Sequence, residues 1–255
     1  MLKLSKNILL DIIKNKVVIG LTLFLFLVSW SLFSLEENSS KATLSLMNII
    51  IIVIPLISMI FTTTHYYNSY EYIELLLAQP LSRSRLIIAE FIGIATALCL
   101  SILFGMGLPM LLYSTDWLGG YIIFITSALS VSCVSIALLI SVWTREKSKG
   151  IGVVLMVWFY LSLIYDGLIL SIIFSFSDYP LEKLTLLLSA LNPIDLSRIS
   201  IMLKMDVSAL LGYTGALYKD FFGSYQGTLY TLITMLCWIL VPLYFSIRIF
   251  NKKDM

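Results

Sequence analysis

Charge, histidine and cysteine are all scarce in this sequence. Only 13% of the 255 residues are charged, and there is one histidine. The three cysteines lack the paired spacing of a metal or redox site. An intramembrane protease needs a nucleophile with its base, or a metal held by His and carboxylates, and the composition therefore argues against catalysis by this chain. The net charge of +2 likewise provides no strongly basic face for nucleic acid.

Motifs for nucleotide binding and hydrolysis are also missing. The sequence contains no G-x-x-x-x-G-K-[ST], no H-E-x-x-H and no G-x-S-x-G. If ATP drives this protein, another chain must hydrolyse it. We therefore expect no catalytic residue, metal or cofactor in this chain. The lone histidine, His65, stands beside two tyrosines at the end of an apolar run and is interpreted as part of an interfacial aromatic belt.

Long apolar runs dominate what is present. Residues of the AVILMFWYC set make up 59% of the chain, above the roughly 45–50% of globular domains. A helix needs about 20 such residues to cross about 30 Å of hydrocarbon. Six runs meet this requirement and predict an all-α polytopic membrane protein with a single transmembrane domain over residues 1–255. The predicted spans are 17–35, 43–66, 87–113, 120–143, 151–175 and 227–249.

Basic residues are divided unevenly between the two sides of the predicted bundle. Six spans place both termini on one side, which carries twelve of the 17 Lys and Arg residues. Because Lys and Arg accumulate in cytoplasmic loops, we expect cytoplasmic termini and a location in the cytoplasmic (inner) membrane. The opposite side carries Lys41, Lys183, Arg198, Lys204 and Lys219.

The residues before the first span are basic but lack the long apolar core of a removable signal peptide. Leu2, Leu4, Ile8 and Ile12 recur among charged residues, a pattern that predicts an amphipathic elbow helix on the inner leaflet. The alternative is that these residues form the solvated start of a longer first span.

A cytoplasmic connection, YNSYEYIELLLAQPLSRSR, separates the second and third spans. Polar and apolar residues alternate with helical spacing until a proline ends the pattern. This predicts a short helix on the membrane surface that docks into a soluble partner and passes rigid-body motion to the spans. The alternative is a helix that merely connects two spans. The residues predicted to bind the partner are Glu71, Glu74, Gln79, Pro80, Arg83 and Arg85.

The external connection, residues 176–226, is the longest. Asn192 and Pro193 separate two predicted amphipathic helices, 181–191 and 196–205, and Asp195 is the predicted N-cap of the second. A seventh span here would bury Asp195 and Arg198 near its centre, at about 2.5–3.5 kcal/mol each, so none is expected. The residues predicted to contact an external partner are Asn192, Pro193, Asp195 and Arg198.

One charge lies inside a predicted span. Asp166 is roughly 22 Å along the fifth helix from Ile151, at about 1.5 Å per residue. An intramembrane carboxylate indicates a functional site by default, here the translocation path or a gate. The alternative is a structural role, in which Asp166 pairs with an external cation such as Arg198.

Two pairs of methionines, Met106 with Met110 and Met202 with Met205, also have helical spacing. Thioethers bind Cu(I), but methionine at this spacing is more often a packing residue when His and Cys are absent. We therefore expect no metal site at either pair.

The run IELLLAQPLSRSRLIIAEF, residues 73–91, resembles the connection between the second and third spans of ABC-2-type permeases. In that family a coupling helix is followed by a proline and a basic residue. The basic elbow, the six spans and the long connection before the last span extend the resemblance over nearly the whole chain. Within the family, YDGLIL around Asp166 and LNPIDLSRI over 191–199 are similar to the NosY-type branch, which serves nitrous oxide reductase maturation.

The resemblance implies a homodimer of permeases, each contacting a cytoplasmic ABC ATPase that binds ATP and Mg. The coupling helix around Glu71 to Arg83 would make that contact. In the NosY-type branch the external surface would also meet a periplasmic beta-helical protein, in support of copper-site assembly on an exported enzyme. Glu90 departs from the family pattern, because such permeases often have Lys or Arg there.

We therefore expect a transporter subunit in which ATP-driven movement of the coupling helix reshapes an external surface formed with residues 176–226. One alternative is an ABC-2 exporter of a lipid, peptide or drug, which would require a large apolar cavity in the dimer. From other classes, an intramembrane enzyme would require a polar cluster converging on Asp166. A non-transporting membrane scaffold would bind no ATPase.

Overall fold

A computed structural model describes residues 12–36, 38–77, 82–113, 117–144, 146–175, 187–205 and 225–252. These residues form helices, and the described ranges contain no strand. Six of the helices are long and apolar enough to cross a membrane. The predicted all-α polytopic fold with six spans is thereby confirmed. Gln79, Pro80 and the predicted elbow helix lie outside the described residues, apart from Ile12 and Ile13, which are helical.

The helices begin and end as follows. The inner end of the bundle is defined here as the end that holds Lys16, Asn68 and Lys252, and the outer end is the opposite one. The helices are α1, Lys16–Leu35; α2, Ser39–Asn68; α3, Tyr70–Leu77; α4, Arg83–Tyr113; α5, Trp117–Trp143; α6, which comprises Lys147–Phe159, Tyr160–Ile164 and Tyr165–Ser175; α7, Pro193–Lys204; and α8, Tyr225–Lys252.

Several spans are longer than predicted, because polar residues continue the helix beyond the apolar run. The second begins at Ser39, where the Asn38 side chain accepts a hydrogen bond from the Ser40 N–H at 2.9 Å. An N-cap of this kind satisfies a backbone donor that the helix leaves free. The third span begins at Arg83 rather than at residue 87.

Helix α5 is the centre of the bundle and packs against α2, α4, α7 and α8. Its small hydroxyl residues contact its neighbours directly. Ser130 Oγ lies 2.8 Å from Ser58 Oγ of α2, and Ser135 Oγ donates to the Ile239 carbonyl of α8 at 2.6 Å. Small residues allow helix backbones to approach closely in a membrane. Helices α1, α6 and α8 lie at the periphery and expose large apolar side chains, as lipid-facing helices do.

Two spans contain a π-helical turn, Leu103–Gly107 in α4 and Tyr160–Ile164 in α6. At the first, Gly105 packs directly on α1, since a Cβ there would lie 2.7 Å from Leu25 Cβ. Single π turns inside helices are often found at functional sites. The second turn ends at Ile164, two residues before Asp166.

The largest difference from the sequence prediction concerns α7. The sequence predicted an amphipathic helix on the outer surface, but ten of the twelve residues of α7 are buried, because the helix packs inside the bundle. The predicted N-cap is also wrong. Asn192 caps α7 by accepting from the Ile194 N–H, and Pro193 supplies the first helical residue, a position that suits proline. Asp195 therefore lies in the first turn.

Candidate functional site

Helix α7 begins near the middle of the bundle and ends at its outer end. At the deep end, Trp238 Nε1 donates to the Ala190 carbonyl at 2.9 Å. Trp238 is about 20 Å from Tyr225 along α8, close to half of that helix, at about 1.5 Å per residue. At the outer end, the Lys204 ammonium lies 5.8 Å from the ring centre of Trp117, the first residue of α5. The segment 187–204 is thus re-entrant, entering the bundle and returning to the same side.

The antiparallel packing of α7 on α8 supports this depth. Ser200 Oγ lies 2.9 Å from Thr231 Oγ1, and Leu196 packs in one buried cluster with Met235. Moving inward along α8 therefore corresponds to moving backward along α7. This register places the N-terminal turn of α7 deepest.

The π turn of α6 provides the acceptor that fixes this deep end. The Tyr165 N–H bonds to the Tyr160 carbonyl, five residues back. In a regular α-helix it would bond to Leu161. Asn192 Nδ2 donates to the Leu161 carbonyl at 2.7 Å, and the Tyr165 hydroxyl donates to the Leu188 carbonyl at 2.6 Å. The irregular turn of α6 therefore anchors the chain at the point where it reverses direction.

Three charged side chains join α6 to α7 just on the outer side of this point. Arg198 donates through Nη1 and Nη2 to the two Asp166 oxygens, at 2.5 and 2.8 Å, and through Nη2 to Asp195 at 2.5 Å. The Arg198, Asp166 and Asp195 side chains are 29%, 27% and 4% exposed. We call these three residues the ionic lock.

The ionic lock pairs two carboxylates with one guanidinium. Its formal charge is −1, and Asp195 in the first turn of α7 also faces the positive end of the helix dipole. Arg198 Nε is buried and has no hydrogen-bond partner among the described residues. Because removal of Arg198 would leave two uncompensated carboxylates, the guanidinium is the side chain on which the network depends most.

The structure therefore brings together Asp166 of α6 and two of the residues predicted in the external segment, Asp195 and Arg198. The pairing of Asp166 with Arg198, which the sequence offered as the structural alternative, is present. Asn192 is fully buried, and in this arrangement it and the other three predicted contact residues face the bundle. Their contact with an external partner stays a prediction, as does a gating role for Asp166.

A second buried pair lies near the inner end. His65 Nδ1 of α2 is 2.6 Å from Glu90 Oε1 of α4, and the two side chains are 14% and 4% exposed. This contact gives a physical reason for the acidic residue at position 90, since a carboxylate buried there needs a partner. The pair joins the two spans that flank α3.

Helix α3 connects these two spans at the inner end. Ile73 is buried, whereas Tyr72 and Leu75 are 50% and 70% exposed. The backbone of α3 includes the predicted Glu71 and Glu74. Arg83 Nη1 donates to the Asn251 carbonyl of α8 at 3.5 Å, and Arg85 is exposed. The predicted helix therefore exists, and it exposes the side chains of Tyr72 and Leu75.

Sequence reasoning missed the pairing of His65 with Glu90. The residues are 25 positions apart on different helices, and only an acidic residue within an apolar run hinted at a partner. The methionines of the first pair, Met106 and Met110, lie in the apolar core. Within the described ranges, no three His, Cys, Asp or Glu side chains are grouped as metal ligands.

Comparison with known proteins identifies the family. The model of the ABC-2 family transporter protein matches residues 3–255. The "Probable ABC transporter permease protein NosY" of Pseudomonas aeruginosa is 32% identical over 148 residues, which cover 54% of this chain and 54% of the relative. The protein of the same name from Stutzerimonas stutzeri is 27% identical over 201 residues, covering 70% of this chain and 67% of the relative. The match to the Pseudomonas protein thus spans about half of that relative's length. Because the family model covers nearly the whole chain, this multi-pass membrane protein belongs to the ABC-2 family of transporter permeases.

Proposed function

We propose that this permease couples ATP hydrolysis by a separate ABC ATPase to a rearrangement of the re-entrant segment, residues 187–204. The ATPase binds at α3, and the movement ends at the ionic lock. The observation that carries the proposal is the position of α3. It is anchored by buried Ile73, exposes Tyr72 and Leu75, and connects two spans that the buried His65–Glu90 hydrogen bond holds together.

Exposed apolar side chains on a short helix suit docking into a groove of a soluble partner. A force on α3 acts on the inner ends of α2 and α4, which the His65–Glu90 pair holds together as one unit. Both helices pack on α5, and α5 packs on α7. Rigid-body movement of helices within a packed bundle can therefore reach the ionic lock.

The ionic lock gives α7 two arrangements. When Arg198 bridges Asp166 and Asp195, α7 stays in the bundle. When the bridge opens, the charges need water or another partner, and α7 moves toward the outer surface. Asn192 and Pro193 then become available to an external protein.

We further propose that the permease is a homodimer in the cytoplasmic membrane, with both termini in the cytoplasm. The NosY name of the relatives supports a link to nitrous oxide reductase maturation. The resemblance of the sequence to that branch further implies a role in copper-site assembly, with a periplasmic beta-helical protein as the external partner. An apolar face is available for a second copy, because α1, α6 and α8 all expose large apolar side chains.

Affinity co-purification from native membranes tests the ATPase contact. The wild type, tagged at the C-terminus, is compared with a Glu74→Arg, Arg83→Glu variant. We expect a P-loop ATPase to co-purify with the wild type and to be lost from the variant, because reversed charges oppose docking.

A matched control reverses another pair at the same end. Glu146 and Lys149 form an exposed ion pair outside α3, 3.0 Å apart. The Glu146→Arg, Lys149→Glu variant carries the same charge exchange and should retain the ATPase. If the wild type brings down no ATPase while the permease remains intact, the proposed function is wrong.

A further inference from the structure

We propose that a groove between α1 and α4 binds an anionic phospholipid, with an acyl chain in the groove and the phosphate beside Lys14 and Lys16. Assignment to the inner leaflet rests on the orientation given under the proposed function. The binding itself does not depend on that orientation or on an ATPase.

The groove exists because α1 and α4 touch at one level and separate below it. They meet at Gly105, where a Cβ would lie 2.7 Å from Leu25 Cβ and 3.0 Å from the Thr22 carbonyl. Gly105 belongs to the π turn of α4. Toward the inner end the two helices leave a groove of about 350 Å³. The close contact between α1 and α4 at Gly105 therefore closes the groove on its outer side. The groove is open at the periphery of the bundle.

The lining selects an apolar occupant. Val18 and Leu23 of α1 face Ala97 and Phe104 of α4 across the groove. The two hydroxyl groups in the lining are already engaged. Thr22 Oγ1 donates to the Val18 carbonyl at 2.9 Å, and the Ser101 hydroxyl donates to its own helix. With no free donor offered by these hydroxyls, a hydrocarbon chain fits the groove and a polar solute does not.

Two lysines adjoin, in sequence, the residues that line the inner end of the groove. Ile13 lines it, and Lys14 and Lys16, the residues on either side of the Asn15 cap, are exposed. Neither lysine forms an ion pair within the part of the chain that the structure describes. Helix α1 has 20 residues, or about 30 Å, the thickness of the hydrocarbon. Its first residues therefore lie at headgroup depth, where lysines attract anionic lipids.

The two features complement each other. The apolar groove alone would accept any lipid chain, and exposed lysines alone would attract any anion. Placed end to end, they match a molecule with a phosphate at one end and a hydrocarbon chain at the other. The expected preference is for phosphatidylglycerol over phosphatidylcholine, because both offer the same chain but only the first has a net negative headgroup.

Native mass spectrometry of the purified full chain tests this. The protein is equilibrated in vesicles of equal phosphatidylglycerol and phosphatidylcholine, and the lipids retained after mild delipidation are compared. We expect several-fold enrichment of phosphatidylglycerol on the wild type. Thr22→Phe, which fills the groove from a partly exposed position, should lower retention of both lipids. Lys14→Gln with Lys16→Gln should leave chain binding but abolish the preference.

Matched controls separate these effects from general damage. Gly20→Phe adds the same side chain to α1 where nothing lies within 4 Å of the added Cβ, and Lys41→Gln removes an exposed lysine at the outer end. Both should behave as wild type. If Thr22→Phe does not fold, the lysine variant decides the question, through loss of the greater thermal stabilisation by phosphatidylglycerol. Equal retention of the two lipids by the wild type, an unchanged preference in the lysine variant, or the same loss in the controls would overturn the proposal.

Discussion

Arg198 and Asp166 are 32 residues apart in sequence, yet they form a bidentate ion pair that joins α7 to α6. Each side chain comes from a different part of the fold, one from a span and the other from a segment that turns back inside the bundle. The position of α7 therefore depends on the charged side chains of the ionic lock.

Removing the Arg198 guanidinium should destabilise the protein more than removing the Asp166 carboxylate. Arg198→Leu leaves Asp166 and Asp195 facing each other, and we expect a loss of about 3 kcal/mol in the free energy of unfolding, as for other broken buried pairs. Asp166→Asn should cost less, because Arg198 keeps Asp195. Thermal unfolding in detergent measures both. Equal stability of Arg198→Leu and wild type would show that the lock does not hold α7.

The His65–Glu90 pair should behave as a coupled unit. His65→Phe leaves a buried carboxylate unpaired and is expected to destabilise the protein by about 3 kcal/mol. The double variant His65→Phe, Glu90→Leu should recover most of that loss, because an apolar pair needs no charge compensation. A double-mutant cycle on unfolding free energies gives the coupling. Additive losses would contradict a direct interaction, and Arg85→Ala, at an exposed position, serves as the neutral control.

Two glycines of α6 should respond in opposite ways to the same change. A Cβ on Gly150 would lie 2.5 Å from the Tyr67 hydroxyl, whereas nothing lies within 4 Å of a Cβ on Gly152. The Tyr67 hydroxyl lies 2.5 Å from Thr144 Oγ1. Gly150→Ala should therefore displace Tyr67 from Thr144 and cost about 1–3 kcal/mol. Gly152→Ala should be neutral or stabilising by up to about 1 kcal/mol, through helix propensity. Similar unfolding temperatures for the two variants would show that α2 and α6 are not packed this closely.

The re-entrant path of α7 predicts a specific cross-link. With Cys99, Cys133 and Cys237 replaced by Ser or Ala, Ser200→Cys and Thr231→Cys should form a disulfide on mild oxidation, because their side-chain oxygens are 2.9 Å apart. Ser200→Cys paired with Thr228→Cys, one turn nearer the start of α8, should cross-link less. Mobility on a non-reducing gel after cleavage between α7 and α8 reports the bond. Equal cross-linking of both pairs would contradict the observed register.

The fold was predictable from the sequence, and the sites only in part. The six spans follow from six apolar runs, because length and hydropathy indicate which helices can cross a membrane. The pairing of Asp166 with Arg198 could be offered as an alternative, because a buried carboxylate needs a cation. The depth of α7 could not be predicted, because its charges argue against burial unless their partners on α6 are known. The pairing of His65 could not be predicted for the same reason, because its partner, Glu90, lies on another helix.

The most direct test of coupling follows the Ser200–Thr231 contact in the assembled permease–ATPase complex. The double-cysteine variant is reconstituted with the ATPase, and the rate of disulfide formation is measured without nucleotide, with ATP, and with ATP and vanadate. If ATP hydrolysis moves α7, the rate should fall at least several-fold in the vanadate-trapped state and recover when nucleotide is removed. An unchanged rate in a complex that hydrolyses ATP would contradict the account.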